Sequence, residues 1–228
     1  MFLSWTKEVN SGALQQASRN LNSAFNHFFK DGFGYPQKKS KKKKHFSFQL
    51  PQNYNLDIER SKIKLPKLGW MKVKLHRDIL GDMKTLTVSR TPTGKYYISI
   101  LTEDGEKCPE TQEYSHATMI GIDVGIKTYA ALSTGEKIDN PAFLKKSLEK
   151  LKFLQRNVSR KVIGSKNWRK ANYKVAKSHE KIANQRHDFQ HKVSNRLISE
   201  NQAIAVETLN INGMKKNHKL AQAVSDSA

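Results

Sequence analysis

The sequence predicts a mixed helix-and-sheet chain, α+β followed by α/β, in two parts. One helix leads into an antiparallel sheet or small barrel, and an α/β domain with an inserted helical hairpin follows. Three observations carry this. The apolar period changes from three-to-four to two at Phe46. An acidic, polar stretch, TEDGEKCPETQEYSHA (102–117), reads as a linker. Beyond it a strand-like run, MIGIDVGIKTYAAL (119–132), gives way to two long helical patterns and then to a strand pattern in QAIAVETLN.

Residues 11–30 form the first helix, because Leu14, Ala17, Leu21, Ala24, Phe25 and Phe28 recur at three- and four-residue steps. Asn10 or Ser11 can cap its start, and Gly32 lies just past its end. A glycine- and proline-containing loop and a lysine block follow. Then HFSFQL, SKIKL, GWMKVKL, TLTVS and KYYISIL alternate in polarity between turn residues such as Asn53, Gly69, Gly81 and Pro92–Gly94. In KVKL, Lys72 and Lys74 fall on the face opposite Met71, Val73 and Leu75. Those ammonium groups either protect a strand edge or meet phosphates.

The second part starts near Thr118. MIGIDVG and KTYAALS are strands, and a third short strand lies around Lys137 and Ile138. Helical patterns over 142–162 and 166–199 are broken at Gly164–Ser165, which predicts a hairpin, and a last strand ends at Glu207. Strand, hairpin strand, third strand, helix, strand is the order of a ribonuclease H-like domain, in which the first and last of these lie parallel and adjacent. Asp123, within a run that reads as buried, and Glu207 then meet at the carboxyl ends of neighbouring strands, where such sheets place their working crevice. Two carboxylates together repel, and a divalent cation with its preference for oxygen ligands offsets that cost. Gly125 would let a nucleic-acid backbone approach. Alternatively, Asp123 is a turn carboxylate and Glu207 a solvated strand end. Asp-x-Gly after a strand also opens the phosphate loop of actin-like ATPases, but Ile126 and Lys127 follow here instead of small hydroxyl residues, and no second glycine-rich phosphate loop is found.

Composition narrows the partner. The 228 residues include 41 Lys and Arg against 20 Asp and Glu, a net charge of +21, which points to a polyanion. Mean hydropathy is −0.70 and no apolar run has the length of a membrane span. No signal-peptide pattern opens the chain, so a cytoplasmic setting is expected. One cysteine, Cys108, excludes an internal disulfide and a multi-cysteine zinc site, and no zinc is expected.

Four blocks, GIDVGIKTYAALSTGEKIDNP, LKFLQRNVSRKVIGSKNWRKA, KIANQRHDFQHKVSNRLI and IAVETLNINGMKKN, resemble the TnpB-type (OrfB) transposon proteins, as do VNSGALQQASRNLNSAFNHFF and IKLPKLGWMKVKLHR nearer the start. These are RNA-guided DNA endonucleases related to type V CRISPR effectors. The resemblance spans nearly the whole chain with its blocks in family order. It implies that residues 1–31 end a helical recognition segment, 32–117 form a wedge-type β-barrel, and 118–228 form the first part of a RuvC nuclease domain. It implies that Asp123 and Glu207 are catalytic carboxylates and ligands of Mg2+ or Mn2+, and that guide RNA and target DNA are partners. The family's usual Glu-Asp-Leu-Asn is Glu207-Thr208-Leu209-Asn210 here. The family's third catalytic Asp and its zinc ribbon are not matched in this sequence, so an incomplete, inactive copy or a binding-only derivative is expected. Asp226 is not that third acid by position and reads as a helix-surface residue.

Several cations are candidate phosphate contacts. Lys38, Lys39, Lys41, Lys42, Lys43 and Lys44 run beside Tyr35, Phe46 and Phe48, aromatics able to stack on bases. Lys161, Lys166, Arg169 and Lys170 gather at the Gly164 turn and suit an RNA–DNA heteroduplex read by its backbone. Arg186, beside Asn184 and Gln185, is either another contact or an ordinary surface residue. His179, His187 and His191 share a helix but lack a glutamate in zinc-protease register, and read as surface or phosphate contacts.

Overall fold

The structure, a computed structural model, describes residues 4–38, 46–107, 113, 115–217 and 220–227. The chain divides into two compact units, Met1–Cys108 and Pro109–Ala228.

In the first unit, α1 spans Ser11–Lys30. Its start is set by Asn10, whose side-chain oxygen accepts from the Ala13 amide at 3.3 Å. Its end is set by Asp31 and Phe33, whose amides both donate to the His27 carbonyl while Gly32 takes φ +68°. The apolar stripe is real but not buried: no residue of α1 is fully enclosed, and Leu21 and Phe29 stand exposed. Ala13 packs on the core, and Asn20 donates to Gln49 at 2.9 Å.

Six strands follow: β1 (Phe46–Leu50), β2 (Asn55–Asp57), β3 (Lys62–Leu65), β4 (Gly69–Lys72), β5 (Asp82–Arg90) and β6 (Tyr96–Glu103). They form two antiparallel three-stranded sheets, β1-β5-β6 and β2-β3-β4. Leu50, Ile63, Leu65, Leu86 and Val88 come from both sheets and make one core. Neither sheet closes on itself among the described residues. The strand expected over GWMKVKL stops at Lys72: the Val73 amide still donates to the Ser61 carbonyl at 2.9 Å in the β3–β4 register, and the pairing ends there, where Ser61 takes φ +49°. The alternation survives beyond it, with Lys72 and Lys74 exposed and Met71, Val73 and Leu75 half-buried.

In the second unit, β7 (Met119–Val124), β8 (Thr128–Leu132) and β9 (Lys137–Asp139) form an antiparallel run, and α2 (Phe143–Ser159) and α3 (Lys166–Glu200) follow. Then come β10 (Ala203–Val206), α4 (Ile211–Lys216) and α5 (Ala221–Ser227). The sheet order is β10-β7-β8-β9, with β10 parallel to β7 and the other pairs antiparallel. Ile120, Leu132 and Leu197 form the core with Ile122, Ile138 and Val193, so α3 covers the sheet. The break between α2 and α3 falls where sequence places it. Gly164 takes φ +86°, and the Ser165 hydroxyl accepts from the Trp168 amide at 3.1 Å to start α3. Arg196, near the end of α3, donates to Glu136 of the β8–β9 turn at 2.8 Å, and that carboxylate raises the guanidinium pKa further above its ordinary value. No helix among the described residues is long and apolar enough to cross a membrane.

Candidate metal centre and nucleic-acid interface

Asp123 lies on β7, one residue past Ile122, and Ile122 is the register partner of Val206 at the end of β10. Glu207 is one residue past Val206, so continuing the parallel register by one step sets it opposite Asp123. The last strand ends at Val206, one residue short of the expected end, which leaves Glu207 on the segment leading to α4. Asp123 was expected to be buried. It is exposed instead, as is Glu207, because β10 is an outer strand of the sheet and carries only the four residues Ala203–Val206. A carboxylate there stays hydrated and is free of the cost of burial. The two acids are brought to neighbouring strand ends from positions far apart in sequence.

Their chemistry suits a hard cation: both offer exposed carboxylate oxygens, where a cation could keep its waters. Their number is small. Among the described residues no group of three His, Cys, Asp or Glu side chains could hold a metal ion.

Gly125 has a local explanation that sequence reading missed. A Cβ built on it would meet the Thr128 carbonyl oxygen at 2.7 Å, while its own amide donates to Tyr129 at 3.1 Å. The tight β7–β8 turn therefore requires glycine whether or not a ligand comes near.

Asp226 is the correction with the largest structural consequence. Expected on a helix surface, it is 8% exposed. Its carboxylate accepts from the backbone amides of Leu144 at 2.9 Å and Lys145 at 3.1 Å, and it pairs with Arg186 at 3.3 Å. The reason lies at the start of α2. Pro141 precedes Ala142, which occupies the N-cap position with φ +47° and offers no side-chain acceptor. The first-turn amides would otherwise lack partners, and Asp226 supplies them from α5. The available sequence signal was α2 itself, a helix with no capping residue of its own.

Sequence leaves Arg186 as either a nucleic-acid contact or a surface residue. Its guanidinium is instead held inward against Asp226, and its Nε is buried without a hydrogen-bond partner. Lys161, Lys166, Arg169 and Lys170 lie exposed around the α2–α3 turn. Lys38 is exposed beside Tyr35, and Phe46 and Phe48 are exposed on β1. Lys39, Lys41, Lys42, Lys43 and Lys44 lie outside the described residues.

These features define a class: a strongly basic, two-unit α+β protein with paired carboxylates at the ends of adjacent parallel strands. Residues 99–218 match the model of the OrfB_IS605 family, described as "Probable transposase", and the chain belongs to that family. It is 38% identical over 212 residues to the Escherichia coli (strain K12) protein named "Putative RNA-guided DNA endonuclease InsQ", covering 93% of this chain and 52% of that one. It is also 38% identical over 232 residues to a Streptomyces pristinaespiralis protein named "Putative RNA-guided DNA endonuclease", covering 99% of this chain and 56% of the relative. The chain spans about half the length of these curated relatives.

Proposed function

We propose that this chain is the nucleic-acid-binding and carboxylate-bearing part of an RNA-guided DNA endonuclease. Guide RNA and target DNA are its partners, as the names of its relatives suggest. On this reading the first unit is a wedge-type barrel, the second is the leading part of a RuvC-like, ribonuclease H-like domain, and Asp123 and Glu207 are its catalytic carboxylates. The observation that carries the reading is the parallel pairing of β10 with β7, which sets Glu207 and Asp123 at matching strand ends within the family-matched segment. Mg2+ or Mn2+ bound there would supply electrostatic stabilisation of phosphodiester hydrolysis. The chain's own carboxylates would hold and orient the cation, and the surrounding lysines would hold the strands.

Titration with Mn2+, followed by the loss of the free-ion electron paramagnetic resonance signal, tests this. Weak binding is expected, with roughly tenfold loss for Asp123→Asn and for Glu207→Gln. Equal binding by wild type and both variants would remove the assignment. A second reading is favoured by the small donor set: the chain binds nucleic acid without cleaving it. That reading predicts salt-sensitive binding and no Mg2+-dependent nicking.

A further inference from the structure

The α2–α3 turn presents a feature that phosphate binding alone does not explain. Val162 and Ile163 are 78% and 83% exposed, more than any other large apolar side chain among the described residues. Two adjacent β-branched side chains in water at the tip of a long hairpin are unfavourable unless something covers them.

The surroundings indicate what covers them. Between Glu149 and Glu180 the sequence carries ten Lys or Arg and no Asp or Glu. Arg160, Lys161, Lys166, Arg169 and Lys170 all lie exposed about the apolar pair. An apolar protein partner would have to leave these cations desolvated or bring carboxylates to each. A polyphosphate backbone neutralises them along its length, and its stacked bases offer apolar faces between the phosphate rows.

The tip is also pre-shaped. The Lys161 amide donates to Val158 at 3.1 Å and the Ser165 amide to Val162 at 3.1 Å. The Arg169 amide donates to Ser165 at 3.0 Å, so ordered backbone flanks the pair on both sides. A wedge fixed before binding loses little conformational entropy when it inserts.

We propose that this turn is an apolar wedge for a double-stranded nucleic acid. Val162 and Ile163 enter at a base step, and the flanking cations hold the phosphates on either side. The proposal rests on the nucleic-acid reading above and adds a mode of contact to it.

The test uses the 228-residue chain and two probes: an RNA–DNA hybrid of roughly 20 base pairs with a central 2-aminopurine, and a single strand of the same length. Wild type is expected to raise the 2-aminopurine emission as the step unstacks. The Val162→Ser, Ile163→Ser double variant should lose that rise and bind the hybrid about tenfold more weakly, with its salt slope unchanged. Its affinity for the single strand should be unaltered. In contrast, the triple variant Lys161→Ala, Lys166→Ala, Arg169→Ala should weaken both probes and lower the salt slope by roughly three. Because Val162 and Ile163 are exposed, the double variant should keep the wild-type circular dichroism. Wild-type affinity and emission in the double variant would overturn the wedge and leave nucleic-acid binding standing. Failure of wild type to bind either probe would overturn both readings. Should the double variant instead lose self-association at unchanged hybrid affinity, the pair is a protein contact and the wedge is wrong.

Discussion

Asp226 takes two amides of the first turn of α2 and the Arg186 guanidinium from positions 82, 81 and 40 residues away. It therefore ties α5 to both arms of the hairpin, close in sequence to the segment that carries Glu207. Breaking a buried pair by removing one partner costs about 3–5 kcal/mol, and losing a cap costs about 1. Against a total stability of about 5–15 kcal/mol, this one carboxylate matters more than the surface ion pairs. Asp226→Ala is expected to destabilise the second unit by about 3 kcal/mol or more in urea denaturation. Asp226→Ala and Arg186→Ala should couple by more than about 1 kcal/mol in a double-mutant cycle, since they act on one cluster. Additive, near-neutral effects would show that the cluster is incidental.

Among the elements, α3 shows which contact holds the hairpin to the sheet. Arg196 reaches Glu136 at 2.8 Å, but both side chains are nearly half exposed and the pair is screened. One residue on, Leu197 is 5% exposed in the core with Ile120 and Leu132. Leu197→Ala is expected to cost about 3 kcal/mol and Arg196→Ala to leave stability nearly unchanged, measured by thermal or chemical unfolding. The reverse order would mean that the ion pair and not the core seats α3. The elements that could be read from sequence are those with local determinants. α1 was legible from its stripe and its Asn10 cap, the hairpin break from Gly164 and Ser165, and the strands from alternation. The three-residue β2 and the six-residue α4 were not, since no period develops over so few residues. That Asp123 and Glu207 fall near the ends of neighbouring parallel strands followed from strand order. Their exposure did not, because it depends on β10 being a short outer strand. The role of Asp226 was hidden for a different reason: the lack of a local cap shows at α2, but nothing there points to a partner 82 residues away.

At the scale of the whole molecule, charge and the carboxylate pair divide the work. A net charge of +21 would favour a polyanion partner wherever the cations lie. The β7–β10 pairing sets two carboxylates, Asp123 and Glu207, near the ends of neighbouring strands on such a surface. We propose that a divalent cation sits at that point, beside the bound nucleic acid. Replacing Mg2+ by Fe2+ and adding ascorbate and peroxide generates hydroxyl radicals at the bound ion, which cut whatever lies nearest. With the cation held by these two acids, cuts are expected in the polypeptide around residues 121–125 and 205–209 and in the bound nucleic-acid strand, all lost in Asp123→Asn and Glu207→Gln. Cuts clustered elsewhere in the chain, or an unchanged pattern in both variants, would contradict it.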